Sequence, residues 1–276
     1  MSMGCNYVGE GIVKALNAHV YGNGTQALVL AHGFGSDQTV WHYLVPYFAC
    51  FFKVVVFDFV FSANVDPKFY DFNRYSNFTG YAQDLVCLLD HLQVSKTFYV
   101  GHSMSAMIGC LAATKRPQLF QHLILLSGSP RYLNAKGYYG GFERWELNEI
   151  FKQMDQNFSR WVENFVPAAV GVNGTSAIHE FEYSLGRMKP KIALSVAKTV
   201  FLSDLRPVLE RVTLPSTIIQ SEKDPIVPKS VAVYMKTKLG GGGLAKVRIL
   251  KTQGHFPQLT VYPLLLEVLK RLLHIN

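Results

Sequence analysis

One serine in this chain stands where a hydroxyl can be turned into a nucleophile. Residues 97–100 are an apolar run that stops at Gly101, and a small-residue helical pattern starts at Met104. Ser103 lies between them, in Gly101-His102-Ser103-Met104-Ser105. Strand, sharp turn and helix with serine at the apex is the layout of a nucleophile elbow. The turn demands small neighbours. Gly101 supplies one, and Ser105 stands where a glycine is usual. A serine hydroxyl attacks only when a base takes its proton. His255 is the candidate base, and Asp224 is the candidate acid that would hold its tautomer and stabilise the imidazolium. An oxyanion needs two N–H donors. Met104, which follows the serine, would give one. Phe34, in His32-Gly33-Phe34-Gly35, would give the other.

Each residue also has a plainer reading. His255 alone could be a structural histidine, and Asp224 a turn or cap residue before Pro225. Asp58 is a rival acid, but it precedes the serine in the chain. His102 reads as a pocket wall or a helix-start residue. The nine histidines show no His-x-His or His-x-x-x-His pair, so no metal site is expected. No glycine-rich nucleotide loop is present, and no cofactor is expected.

These residues need a frame that brings them together. Strand-like runs cover 26–31, 53–58, 97–100, 122–127, 216–221 and 246–250. Helical spacing covers a stretch from about Asp37 bearing Val40, Trp41, Leu44 and Val45, then 81–92, the segment after the elbow, 229–239 and 261–273. Alternation of the two predicts an α/β fold with a mostly parallel sheet flanked by helices. Ser103, Asp224 and His255 each follow a strand, at the carboxyl ends where ligands gather in open sheets. That chain order is the one found in α/β-hydrolases. Residues 142–154, 157–165, 175–188 and 190–202 read as helices with no strand among them. They predict a helical cap over about 140–202, inserted in a single domain spanning 1–276.

Composition narrows the class. The chain has 276 residues, 49% of them hydrophobic, enough for one sizeable core. No apolar run reaches about 18 residues, so no membrane span is expected. Residues 1–6 lack the basic and apolar regions of a secretory leader, and Gly4 is misplaced for myristoylation. Four cysteines without Cys-x-x-Cys spacing read as reduced, mostly buried thiols of a cytoplasmic or nuclear protein. The glycosylation sequons at Asn23, Asn77, Asn157 and Asn173 then read as chance matches. The net charge of +8 is dispersed, with no basic run of five, which reads as ordinary surface charge and not a nucleic-acid face. A monomer is expected.

Several motifs together resemble the plant karrikin and strigolactone receptor hydrolases. They are the elbow through Gly109, His32-Gly33-Phe34-Gly35-Ser36-Asp37-Gln38-Thr39-Val40-Trp41, Ser129-Pro130-Arg131-Tyr132, Gly140-Gly141-Phe142-Glu143 and Gly254-His255-Phe256-Pro257-Gln258. The resemblance is to the karrikin-insensitive-like and DWARF-fourteen-like branch. It implies an α/β-hydrolase core with a four-helix cap, an apolar butenolide ligand, slow hydrolysis, and signalling through an F-box protein and a Clp-ATPase-like repressor. By motif position, Phe142, Ile150, Trp161, Phe165 and Phe201 would line the pocket, with Phe34 and His102 at its floor. One stretch departs. Where most members carry a glycine-rich loop, this chain has Phe59-Val60-Phe61-Ser62-Ala63-Asn64-Val65. A general carboxylesterase without a partner, and a ligand-binding module with negligible turnover, remain as alternatives.

Overall fold

The computed structural model describes residues 11–173 and 176–275. β-branched and leucine-rich runs with no polar face pair best in the middle of a parallel sheet. The sheet has seven strands: β1 (His19–Tyr21), β2 (Ala27–Ala31), β3 (Lys53–Phe57), β4 (Thr97–His102), β5 (Phe120–Leu126), β6 (Ser216–Lys223) and β7 (Ala245–Gln253). Their order is β1-β3-β2-β4-β5-β6-β7, with β2 to β7 parallel and β1 antiparallel on β3. β2 and β4 are buried at every residue. β1 had no signal in the sequence, because its three residues are all exposed and carry no apolar pattern.

The helices are α1 (Gly11–Ala15), α2 (Val45–Phe48), α3 (Phe78–His91), α4 (Met104–Lys115), α5 (Arg144–Gln156), α6 (Phe158–Val170), α7 (Ser176–Gly186), α8 (Pro190–Leu202), α9 (Arg206–Leu209), α10 (Lys229–Lys238), α11 (Pro257–Thr260) and α12 (Tyr262–Leu272). α3 packs on α4, α4 on β4 and β5, and α10 on β6 and β7. Among the described residues, no helix is long and apolar enough to cross a membrane.

Caps and turns explain where elements begin. α3 starts at Phe78, ahead of its leucine stripe, because the Asn77 side chain accepts from the Thr79 N–H at 2.8 Å. The helix expected near Asp37 is a 3-10 turn, Gln38–Trp41, capped by Asp37, followed by the short α2. Residues 59–77 are irregular except for a turn at Pro67–Phe69, yet Phe59, Phe61, Tyr70 and Tyr75 are buried. Asp84 of α3 anchors that segment, accepting from Arg74 at 2.5 Å and from the Tyr75 hydroxyl at 2.7 Å.

α5 to α8 lie in sequence between β5 and β6, with α5 against α6 and α8, and α6 against α7. A capping box between Glu143 and Glu146 starts α5 at Arg144. α6 runs on through Pro167 to Val170, past the expected end at 165, and stops at Gly171 in the left-handed region. The Gly171 N–H closes that end on the Pro167 carbonyl at 3.0 Å. Residue Thr175, the expected start of α7, lies outside the described residues. Cys50 is an exposed free thiol and Cys110 a buried one. Cys87 is disulfide-bonded, contrary to the expectation of four reduced thiols. Cys5 and the 1–6 segment lie outside the described residues.

Candidate active site

The carboxyl ends of β4, β6 and β7 share one edge of the parallel sheet, and the turns after them carry Ser103, Asp224 and His255. Ser103 sits at φ 56° and ψ −120°, a left-handed conformation that costs a non-glycine residue about 1–3 kcal/mol. The turn is held by its N–H, which donates to the Leu126 carbonyl at 2.8 Å. Gly101 must be glycine, since a Cβ there would come within 2.6 Å of the Ser105 backbone. Ser105 replaces the usual glycine without disrupting the elbow, because its hydroxyl turns to donate to the His32 carbonyl.

His255 Nε2 lies 2.9 Å from Ser103 Oγ, and its Nδ1 lies 2.9 and 3.1 Å from the two Asp224 oxygens. The Nδ1 proton therefore points at the carboxylate, and Nε2 is free to accept from the serine. Serine and histidine are both buried. Asp224 also accepts at Oδ1 from the Ile226 and Val227 N–H groups, at 2.9 and 3.0 Å. Asp58, the rival acid, is turned to other work: it accepts from Asn17 and from the Gln38 N–H, each at 2.7 Å.

The His255 backbone is fixed on both sides. Its N–H donates to the Ala169 carbonyl of α6 at 2.9 Å. Its carbonyl accepts from His102 Nε2 at 2.8 Å. Gly254 precedes it at φ 92°, and a Cβ there would collide with the Val170 carbonyl oxygen. Burial, with His255 close by, pushes His102 well below the usual histidine range, so it serves as a neutral donor.

The 32–35 loop lies against Ser103. A Cβ on Gly33 would meet Ser103 Cβ at 2.9 Å. α7 is seated on the same loop. Ser184 Oγ donates to the Gly35 carbonyl at 2.9 Å, and Arg187 donates to Asn64 Oδ1 at 2.8 Å, while Asn64 in turn donates to Asp37 at 3.0 Å.

Above Ser103 is a tight cavity of about 20 Å³. Phe34, Phe165 and Phe201 line it, as the motif positions suggested. Four other expected residues do not. His102 is turned back to the His255 carbonyl, and its ring packs 5.0 Å from Phe256. Phe142 lies behind Phe201, edge-on at 5.5 Å. Trp161 is stacked between Phe158 and Phe165, at 5.7 and 4.7 Å. Ile150 is half-buried against the core. The lining that the sequence reading missed is Tyr132, Ala169, Phe181, Val200, Ile226 and Phe256. Tyr132 follows β5 at the same sheet edge, which was its available signal, and its hydroxyl stands 3.4 Å from Ser103 Oγ. Burial pushes that phenol up, so it stays protonated. Among the described residues, no group of three His, Cys, Asp or Glu side chains could hold a metal ion.

A family profile described as alpha/beta hydrolase fold matches residues 26–193. A strigolactone esterase of Arabidopsis thaliana is 47% identical over 262 residues, covering 95% of this chain and 97% of that protein. A karrikin insensitive 2 receptor of Petunia hybrida is 46% identical, covering 96% and 98%. The solved structure of a hydrolase from Oleispira antarctica is 31% identical and superposes with a TM-score of 0.92, covering 98% of this chain and all of that one. The chain belongs to the α/β-hydrolase family. Within it, the two curated relatives place this hydrolase among the strigolactone esterases and karrikin-insensitive receptors. The 59–65 stretch packs against His32, at the start of the 32–35 loop. The Phe59 N–H donates to His32 Nε2 at 3.0 Å, and the Phe59 and Phe61 rings stand edge-on to that imidazole at 5.1 and 5.6 Å.

Proposed function

We propose that this hydrolase is a butenolide receptor: it binds a small apolar lactone, opens it slowly through Ser103, and signals in the ligand-bound form. The observation that carries the reading is an assembled Ser103–His255–Asp224 relay at the floor of an aromatic cavity. The cavity walls are mostly aromatic and aliphatic, which suits an apolar lactone. Among the described residues, the ionisable side chains on its walls are His255 and Tyr132, which suits an uncharged ester. The names of the two curated relatives support the ligand class.

In this mechanism His255 Nε2 takes the Ser103 proton as Oγ attacks the lactone carbonyl. The oxyanion is held by the Phe34 and Met104 N–H groups, an arrangement worth about 10²–10³ in kcat per donor. The tetrahedral intermediate collapses, its C–O bond breaks, and imidazolium returns the proton to the leaving oxygen. The acyl group on Ser103 then passes to water or to His255. Phe34, Phe165 and Phe201 shape the ring's seat, and the α5–α8 segment acts as the cap over it. The signalling partners in this reading are an F-box protein and a Clp-ATPase-like repressor, met in the cytoplasm and nucleus. A carboxylesterase without a partner is the second reading, favoured by the relay being complete without any partner chain; it predicts rapid turnover of short-chain esters.

Intact-protein mass spectrometry after incubation with each enantiomer of a synthetic strigolactone, and with a desmethyl butenolide, tests the reading. The expected result is a butenolide-sized mass gain on His255 that is absent from Ser103→Ala. Absence of both adduct and cleavage with every ligand overturns the ligand class. Cleavage by Ser103→Ala at a near wild-type rate overturns the mechanism.

A further inference from the structure

Gln220 lies on β6, four residues before Asp224, and is fully buried. Its Nε2 donates to Asp224 Oδ2 at 3.0 Å and to the Val227 carbonyl at 3.0 Å. Its Oε1 has no partner among the described residues. Turned over, the amide would aim that oxygen at two acceptors, so the orientation is fixed by what surrounds it. A buried acceptor left unsatisfied is costly, and the position tolerates one in order to present both N–H donors.

Both Asp224 oxygens are engaged, but differently. Oδ1 is held by two backbone N–H groups, which any side chain in the loop would leave in place. Among the described residues, Oδ2, the oxygen nearer His255 Nδ1, is held by that histidine and Gln220. The second Gln220 bond, to Val227, ties the turn after Asp224 back onto β6. Resting on the serine-hydrolase reading above, we propose that Gln220 is a positioning residue of the relay, holding Asp224 Oδ2 so that the carboxylate faces His255.

Two consequences separate this role from simple packing. Without Gln220 the carboxylate can swing, and serine activation falls. A carboxylate turned away also stabilises the imidazolium less, so the acid limb of activity moves to lower pH. The titratable groups facing His255 are Asp224, His102 and, across Ser103, Tyr132. The last two stay neutral through burial, so a displaced limb reports on Asp224.

The test uses the full chain with Gln220→Met and Gln220→Leu, and follows labelling of Ser103 by a fluorophosphonate from pH 5 to 9. Expected are labelling slowed roughly tenfold or more and an acid limb displaced downward by about half a pH unit. A uniform slowing with the limb unmoved overturns the proposal and leaves the hydrolase reading intact. No labelling of wild type at all overturns both. A second measurement does not depend on the variants folding. In wild type, NMR should find the Gln220 amide protons protected from exchange, and they should shift when Ser103 is phosphonylated. Amide protons that exchange freely, or that do not respond, overturn the proposal.

Discussion

Ser105 is the residue at which the chain breaks its own motif, and the consequence is measurable. Restoring the usual glycine by Ser105→Gly removes the hydroxyl that satisfies the His32 carbonyl, and places glycine in the first turn of α4. We expect a loss of about 1–3 kcal/mol in denaturant unfolding, with ester turnover within a few-fold of wild type. Ser103, Asp224 and His255 were legible because chain order and strand-end position are properties of sequence. The cavity wall was less so. Sequence gives the spacing of Phe142, Trp161 and Phe165 but not which face of a helix meets the sheet. Only Phe165 of these reaches the cavity, while Trp161 packs into the aromatic stack behind it. His102 was misplaced for a related reason. Its side chain and that of Ser103 leave a tight turn in different directions, and adjacency says nothing about that.

At the scale of elements, the decisive junction is between α6 and the loop after β7. The Ala169 carbonyl holds the His255 N–H, and Gly254 passes so close to the end of α6 that no side chain fits. Gly254→Ala combines that collision with an unfavourable positive φ. We expect it to cost about 2–4 kcal/mol of stability and to depress hydrolysis at least 100-fold even at temperatures where the protein stays folded, as read by a melting curve alongside a rate assay. The element types were readable from period and composition, since most of the strands carry apolar runs. Their ends were not, because ends are set by side-chain caps such as Asn77 and by the Glu143–Glu146 pair. The edge strand β1 escaped notice because pairing with β3, not its own sequence, makes it a strand.

Across the whole molecule, buried histidines tie stability to pH. Burial lowers the pKa of both His32 and His102 in the folded state. The unfolded chain takes up those protons below its ordinary pKa of about 6.5, and the folded chain resists them. Stability is therefore fully present above that pH and declines as pH falls, by up to about 1.4 kcal/mol per pH unit for each group. Melting temperature should drop steadily between pH 7 and 5, and a flat profile there would contradict the burial. The net charge of +8 fits the same scale. Lys246, Arg248 and Lys251 are exposed along β7, the outermost strand, where charge discourages edge-to-edge pairing. The relay spans more than half of the chain, with Ser103 and His255 152 residues apart. His255 cannot take its place until α6 has docked, so the catalytic geometry is a late event in folding. In a refolding experiment, far-UV circular dichroism should recover first and ester hydrolysis last. The newly folded protein would pass through an interval in which it is built but silent.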